Sequence, residues 1–126
     1  MKIIKRDGRE VLFNGSKIAK AVAKANAEVS KIHQLNEFQI QAIADTVTKQ
    51  CEKLPHIPSV EEVQDLVETA IMEMRGYEVA QKYVRYRYRR ELARKANTTD
   101  DAILALIEQE NEEIKQENSN KNPVIN

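Results

Sequence analysis

The chain has 126 residues, enough for one domain with a modest core and too few for two ordinary ones. Its composition, 32% charged and 41% hydrophobic with three Gly and three Pro, favours a soluble, helix-rich fold and excludes a fibrous or largely disordered chain. The 20 basic residues balance the 20 acidic ones, so long-range attraction to a polymer of phosphates is weak.

Individual features of the sequence exclude further kinds of site and classes of protein. Cys51 is the one cysteine, which rules out an intrachain disulfide and a cysteine-based metal site and fits a reduced, cytoplasmic setting. The first residues turn charged before an apolar segment develops, unlike a signal peptide, and no apolar run of about 18 residues could span a bilayer. We therefore expect no membrane role.

The zero net charge hides an asymmetry along the chain. Residues 1–95 contain 18 Lys and Arg against 13 Asp and Glu, whereas residues 96–126 contain 2 against 7. We expect a basic body followed by an acidic tail.

The first element predicted along the chain is a β-hairpin. Residues 2–6 and 10–13 are rich in β-formers and flank Asp7-Gly8. An Asp-Gly pair between two such runs is a strong hairpin signal. The turn should therefore centre on this pair.

Three helices are predicted next, each from an apolar stripe at helical spacing. Asn14 and Ser16 compete as N-cap of the first, and capping boxes open the second (Asn36 with Gln39) and the third (Ser59 with Glu62). Gly76 is predicted to end the third helix in the C′ position. The stripes are Ile18, Val22, Ala25 and Val29; Ile40, Ile43, Val47, Cys51 and Leu54; and Val63, Leu66, Val67, Ala70, Ile71 and Met74.

Two further helices complete the predicted fold. Residues 77–96 form a fourth helix rich in Tyr and Arg, and an acidic fifth follows that can dock only through early apolar residues such as Ile103, Leu104 and Ile107. The last residues, SNKNPVIN, are predicted to be a linker. The fold class is mostly α with a small β-hairpin: a four-helix cluster capped by the N-terminal hairpin, plus an acidic C-terminal helix and linker.

A first cluster of cationic residues surrounds the hairpin and the start of the first helix. Lys17 lies in a first turn, where the helix already carries about half a positive charge, so a lysine there is unfavourable. Lys5 and Arg6 add to this charge, and a phosphate group would make all these groups favourable at once. The alternative is a set of solvated surface charges, some paired with Asp7 or Glu10.

A second cluster lies in residues 81–95, QKYVRYRYRRELARK, where seven basic residues alternate with three tyrosines. Tyr83, Arg87 and Arg90 share one helix face and could bind phosphate by stacking and pairing. Alternatively, the tyrosines are core residues and the arginines an exposed face. Basic and aromatic residues in alternation also suit single-stranded nucleic acid.

Catalysis has little support in the sequence. His33 and His56 lie near predicted connections, and no nucleophile motif or metal-ligand spacing links them. We expect both to be surface residues, and we predict no catalytic residue and no protein metal site in this chain.

The segments IIKRDGREVLFNGSKI, IPSVEEVQDLVETAIME and YEVAQKYVRYRYRRE together resemble the successive signatures of the ATP-cone domain, over about residues 2–94. The resemblance implies a regulatory domain that binds ATP or dATP, with Mg²⁺ held through the phosphates. By the same resemblance, residues 1–95 are the nucleotide-binding domain. Residues 96–126 are then an acidic helix and linker toward a catalytic domain absent from this chain.

The family pattern also implies a set of nucleotide-binding residues. Lys5, Arg6, Asn14 and Lys17 would hold phosphates and ribose, and Val11 stands where some relatives place a carboxylate that contacts adenine. The remaining positions implied by the family are Val60 and Gln64 on the third helix and Tyr83, Arg87 and Arg90 on the fourth.

The C-terminal residues ENSNKNPVIN resemble the connection into the barrel of anaerobic, glycyl-radical ribonucleoside-triphosphate reductases. This resemblance implies an excised regulatory fragment whose partners are that barrel and other copies of itself, in assemblies that depend on the nucleotide. The rivals are a nucleic-acid-binding or transcriptional regulator module that uses the fourth helix, and a purely structural oligomerisation domain.

Overall fold

A computed structural model describes the backbone of residues 1–111 and the side chains of residues 1–97. The chain divides into a first compact unit, Met1–Val84, and a second that begins at Arg85. The predicted fold class, helices with an N-terminal hairpin, is confirmed. In order, the elements are β1 (Lys2–Ile4), β2 (Glu10–Leu12), α1 (Gly15–Ala27), a 3-10 turn (Lys31–His33), α2 (Glu37–Glu52), α3 (Val60–Glu73) and α4 (Tyr77–Asn111).

The hairpin forms where it was predicted. β1 and β2 are antiparallel, with Ile3 opposite Val11. The Gly8 N–H donates to the Lys5 carbonyl over 2.9 Å, and the Lys5 N–H donates to the Arg9 carbonyl over 2.8 Å. Gly8 adopts a φ of 90°, which glycine reaches at no steric cost. The result is a three-residue loop whose last position is left-handed.

The hairpin is tied to the connection before α3. The Ile4 N–H donates to the Pro58 carbonyl over 2.9 Å, and Ile4 forms a parallel bridge with Ser59. Ile3 and Phe13 also pack against the core. β1 therefore lies beside Pro58 and Ser59, the two residues that precede α3. This position holds the hairpin turn near that helix.

The core of the first unit is built from the predicted apolar stripes. Each helix buries one face, because its apolar residues recur every three or four positions. The buried hydrophobic residues in the described part of the chain are Ile18, Val22, Ala25, Val29, Leu35, Ile40, Ile43, Ala44, Val47, Cys51, Val63, Val67, Ala70, Ile71, Val79, Ala80 and Tyr83.

The helix starts follow the predicted caps. Asn14, not Ser16, caps α1: its side-chain oxygen accepts from the Ser16 N–H over 3.0 Å. The capping boxes of α2 and α3 both form, with Gln39 and Glu62 closing them. Each box satisfies two backbone N–H groups that the helix itself cannot pair.

The end of α3 differs from the prediction. Arg75, not Gly76, takes the left-handed C′ conformation, with a φ of 66°. The Arg75 N–H donates to the Met72 carbonyl and the Gly76 N–H to the Ile71 carbonyl, the paired bonds of a Schellman motif. Gly76 is needed for a different reason, since a Cβ there would lie 3.1 Å from the nearest side-chain atom of Leu35.

The fourth helix is longer than predicted. It runs from Tyr77 to Asn111 with no break near residue 96, so the acidic helix expected there is the continuation of α4. The stretch around residue 96 contains neither Pro nor Gly to stop a helix. The side chains of Ile103, Leu104 and Ile107 and the predicted linker lie outside the described residues. No helix in the described part of the chain combines the length and the apolarity needed to cross a membrane.

Candidate functional site

The hairpin turn and the first turns of α3 are joined by Arg6. Its guanidinium bonds to the Glu61 carboxylate and lies 3.4 Å from the Gln64 side-chain oxygen. The backbone tie at Ile4 makes this contact possible, since it holds the turn beside α3. The structure thus brings together two predicted site residues, Arg6 and Gln64. Val60, the first residue of α3, follows the bridged Ser59 directly.

Val11 lies on the side of the hairpin that faces the core, because it stands opposite Ile3, which packs against the core. Lys5 follows β1 at the start of the turn, where its N–H donates to the Arg9 carbonyl, and it is exposed. The hairpin therefore holds Val11 near the core and leaves Lys5 at the surface.

The start of α1 is cationic. Strand β2 ends at Leu12, and two residues later α1 begins under the Asn14 cap, with Lys17 in the first turn. That turn contains no acidic residue, whereas α2 starts with Glu37 and α3 with Glu61 and Glu62. A lysine at a helix start, beside the positive end of the helix dipole, makes a place where an anion is favoured.

Tyr83 differs from the other predicted residues of the first unit. It is 5% exposed and belongs to the hydrophobic core. A ring packed in this way stabilises the bundle through the apolar area that it buries. Its burial matches the core interpretation that the sequence left open for the tyrosines.

Arg87 and Arg90 belong to the second unit, whereas the hairpin residues belong to the first. Arg90 donates to the Tyr86 hydroxyl over 3.0 Å, and its guanidinium carbon lies 5.5 Å from the centroid of that ring. Burial and the charge of Arg90 lower the pKa of Arg94, one helical turn further on. The second unit therefore concentrates positive charge along α4.

A surface cavity of about 360 Å³ lies elsewhere in the first unit. It is bounded by Met1 and Lys2 on one side and by the end of α2 and the following connection, residues 51–58, on the other. None of the predicted nucleotide-binding residues lines it.

Two groups near the site were not anticipated from the sequence. In the sequence, Glu61 fits the general preference for acids at helix starts, but its carboxylate also pairs with Arg6 across 55 residues of chain. The Pro58 carbonyl anchors β1. Neither contact has a local sequence signal, because each depends on segments that are distant in the chain.

No group of three or more His, Cys, Asp or Glu side chains converges as a metal site in the part of the chain that the structure describes. His33 pairs with Glu78 at 3.3 Å and His56 with Glu62 at 2.8 Å, and all four side chains are about half exposed. Both histidines are surface residues that join neighbouring elements, as expected.

Comparison with known proteins decides the family. The family model of the ATP cone domain matches residues 1–92. The chain belongs to the ATP-cone family. An ATP cone is a nucleotide-binding regulatory domain, and the match covers the hairpin and every helix of the first unit.

The sequence of this ATP cone is also similar to those of ribonucleotide reductases, over more residues than the family model matches. The chain is 34% identical over 125 residues to the anaerobic ribonucleoside-triphosphate reductase of Haemophilus influenzae and 28% over 125 residues to that of Escherichia coli. It is 32% identical over 117 residues to the ribonucleoside-diphosphate reductase subunit alpha of Chlamydia pneumoniae. These alignments cover 86–98% of this chain but span 11–17% of the length of the relatives.

Proposed function

We propose that this ATP cone binds ATP or dATP at the hairpin and thereby switches the overall activity of an anaerobic ribonucleoside-triphosphate reductase. The observation that carries the proposal is the cationic start of α1, which has Lys17 but no acid in its first turn and follows directly on the hairpin that bears Lys5. The family match and the reductase relatives support the choice of nucleotide and of parent enzyme. The buried thiol of Cys51 fits a reducing, cytoplasmic setting.

A triphosphate would neutralise the charges at this site. Its oxygens would pair with Lys5 and Lys17, at a helix start whose dipole favours negative charge. Val11 offers the base an apolar contact, and the amide nitrogen of Asn14 can donate to the ribose while its oxygen caps the helix. Mg²⁺ accompanies the nucleotide and is held chiefly by phosphate oxygens.

Arg6 links nucleotide binding to the position of the hairpin. Its guanidinium pairs with Glu61 on α3, and a phosphate group would compete for it. Binding would then exchange a contact between hairpin and α3 for a contact between hairpin and ligand. In our proposal this exchange changes the association of cones or their orientation relative to the catalytic domain. Val60 and Gln64, beside the exchanged contact, form the α3 wall of the pocket.

ATP and dATP differ by one ribose hydroxyl, so a switch requires two states that bind the two nucleotides with different affinity. A ligand with equal affinity for both states shifts nothing. We therefore expect dATP and ATP to stabilise different assemblies, with ATP permitting activity and dATP inhibiting it.

The test is calorimetric titration of the 126-residue chain with ATP, dATP and GTP, with size analysis in each ligand. Lys5→Ala and Lys17→Ala should each weaken adenine-nucleotide binding by about tenfold, since each removes a charge-assisted contact. Lys49→Ala, which removes an exposed lysine from α2, is the matched control and should bind normally. A chain without saturable adenine-nucleotide binding would contradict the proposal.

A nucleic-acid-binding function is the second candidate, favoured by the charge that Arg87, Arg90 and Arg94 gather on α4. It predicts oligonucleotide binding with a steep salt dependence that Lys5→Ala and Lys17→Ala leave unchanged. Loss of that binding in Arg87→Ala or Arg90→Ala, together with no response to ATP, would favour it over the nucleotide switch.

A further inference from the structure

The first residue of α1, Gly15, lies against α2. A Cβ atom at Gly15 would lie 3.1 Å from the side-chain oxygen of Thr48 and 3.9 Å from the ring of Phe13. Gly15 does not adopt a positive φ, so its backbone conformation does not require a glycine. Glycine also has a lower helix propensity than alanine. The reason for a glycine at this position is therefore the close approach of the two helices.

Thr48 has little freedom to move away from an added Cβ atom. Its hydroxyl donates to the Ala44 carbonyl, one helical turn earlier, over 2.8 Å. Its side chain is also β-branched, so few χ1 rotamers are open to it in a helix. A side chain at Gly15 would therefore displace the start of α1 by a few tenths of an ångström and leave Thr48 in place.

The residues at the start of α1 would move together, because they belong to one hydrogen-bonded turn. The Asn14 side chain caps the helix, and the Lys17 N–H donates to the Asn14 carbonyl over 3.1 Å. Gly15 lies between these two residues. Lys5 belongs to the hairpin, a different element, so a shift of α1 changes the spacing between Lys5 and Lys17.

We propose that Gly15 and Thr48 are positioning residues of the nucleotide site, and that their contact sets the distance of Asn14 and Lys17 from the hairpin. The inference rests on the proposed function and deepens it, because it adds α2 to the elements that support the site. A triphosphate is bound by groups on two elements at once. Its affinity then depends on the spacing of those elements, which the contact with α2 holds fixed.

Calorimetric titration of the full chain with ATP and with dATP tests this contact through a double-mutant cycle. Gly15→Ala should weaken binding by about three- to tenfold, because it shifts Lys17 relative to Lys5. Gly15→Ala combined with Thr48→Ala should bind within about twofold of the parent chain, because the shorter side chain makes room for the new methyl group. Thr48→Ala alone should bind like the parent chain. Gly15→Ala combined with Thr48→Val should stay weak, because valine is as bulky and as stiff as threonine.

The change Gly76→Ala controls for a general loss of stability. Its Cβ would lie 3.1 Å from the nearest side-chain atom of Leu35, the same separation as at Gly15, but at the junction of α3 and α4. This variant should unfold at a lower denaturant concentration than the parent chain and still bind ATP normally. Gly15→Ala should bind weakly and unfold like the parent chain, because the higher helix propensity of alanine offsets the crowding at the helix start.

Three outcomes would overturn the inference: a Gly15→Ala variant that binds with the parent's affinity, a Thr48→Ala change that does not restore binding, or a Thr48→Val change that does. Equal weakening in Gly76→Ala would also overturn it, because reduced stability would then explain the effect. A parent chain without saturable binding of adenine nucleotides contradicts the proposed function itself, and this inference with it.

Discussion

Arg6 lies in the hairpin turn, contacts α3 and, in our proposal, would also contact the nucleotide. It is held by Glu61 and lies next to Gln64, so the guanidinium is oriented toward α3. A carboxylate that pairs with this cation also reduces its attraction for a phosphate. Glu61 therefore sets how much of the charge of Arg6 is available for binding.

This competition predicts a gain of affinity from an isosteric change. Glu61→Gln should tighten adenine-nucleotide binding by about three- to tenfold, because the amide keeps the shape of the side chain but not its negative charge. Calorimetric titration measures the effect. Glu73→Gln, another exposed carboxylate on α3, is the control, and weaker binding in Glu61→Gln would show that Glu61 positions Arg6 for the ligand instead of competing with it.

Glu62 gives the fold a dependence on acidic pH. Its carboxylate accepts from the Ser59 N–H and pairs with His56, and these interactions hold the pKa of Glu62 below its ordinary value of 4.5. A carboxylate whose pKa is lowered by folding stabilises the fold above its unfolded pKa. That contribution is lost as the pH falls through the folded value.

The change Glu62→Gln isolates this effect, and Gln39 shows that an amide can close the same kind of capping box. Between about pH 7 and pH 3, the parent chain should lose more free energy of unfolding than Glu62→Gln does. Urea denaturation at each pH measures the difference. Asp7, whose pKa the N–H and guanidinium of Arg9 also lower, is unchanged in both proteins and cancels. Parallel pH profiles for the two proteins would contradict the assignment.

At the scale of elements, the junction between α3 and α4 places a different structural requirement on each of two neighbouring residues, Arg75 and Gly76. Arg75 carries the left-handed conformation that ends α3, while Gly76 leaves room for the buried side chain of Leu35. The Gly76 carbonyl also accepts from the Ala80 N–H over 2.8 Å, which starts α4. The glycine is thus required for a close approach and the arginine position for a positive φ.

Two substitutions at this junction should have opposite effects. Arg75→Gly should raise the free energy of unfolding by about 0.5–1 kcal/mol, because glycine adopts a positive φ without strain. Gly76→Ala should lower it by about 1–2 kcal/mol, because its Cβ would crowd Leu35. Chemical denaturation measures both, and a destabilised Arg75→Gly would show that the arginine side chain contributes more than its backbone costs.

At the scale of the whole molecule, the two units carry different kinds of chemistry. The first, with its hairpin, core and cationic helix start, accounts for most of the ATP-cone match over residues 1–92. The second contains the part of α4 in which residues 85–97 hold six basic residues and one acidic, and residues 98–111 hold four acidic residues and none that is basic.

The sequence by itself determined the elements and most of their ends. The hairpin, the apolar stripes, the Asn14 cap and both capping boxes are local patterns, in which the residues that interact are at most ten positions apart. For that reason the hairpin, three helix starts and most of the core were predictable, whereas Leu35, Val79 and Ala80 lie in the core without having been predicted there. The candidate site residues came from motifs and from resemblance to the family, and their role in binding stays a prediction.

Only the tertiary structure decided contacts between distant segments. The bond from Ile4 to Pro58, the pairing of Arg6 with Glu61 and the fit of Leu35 against Gly76 all join residues far apart in the chain. No local propensity encodes them, because they arise when packing of the apolar faces fixes how the elements approach one another. The burial of Tyr83 was settled in the same way, since its sequence pattern suited both the core and a binding surface.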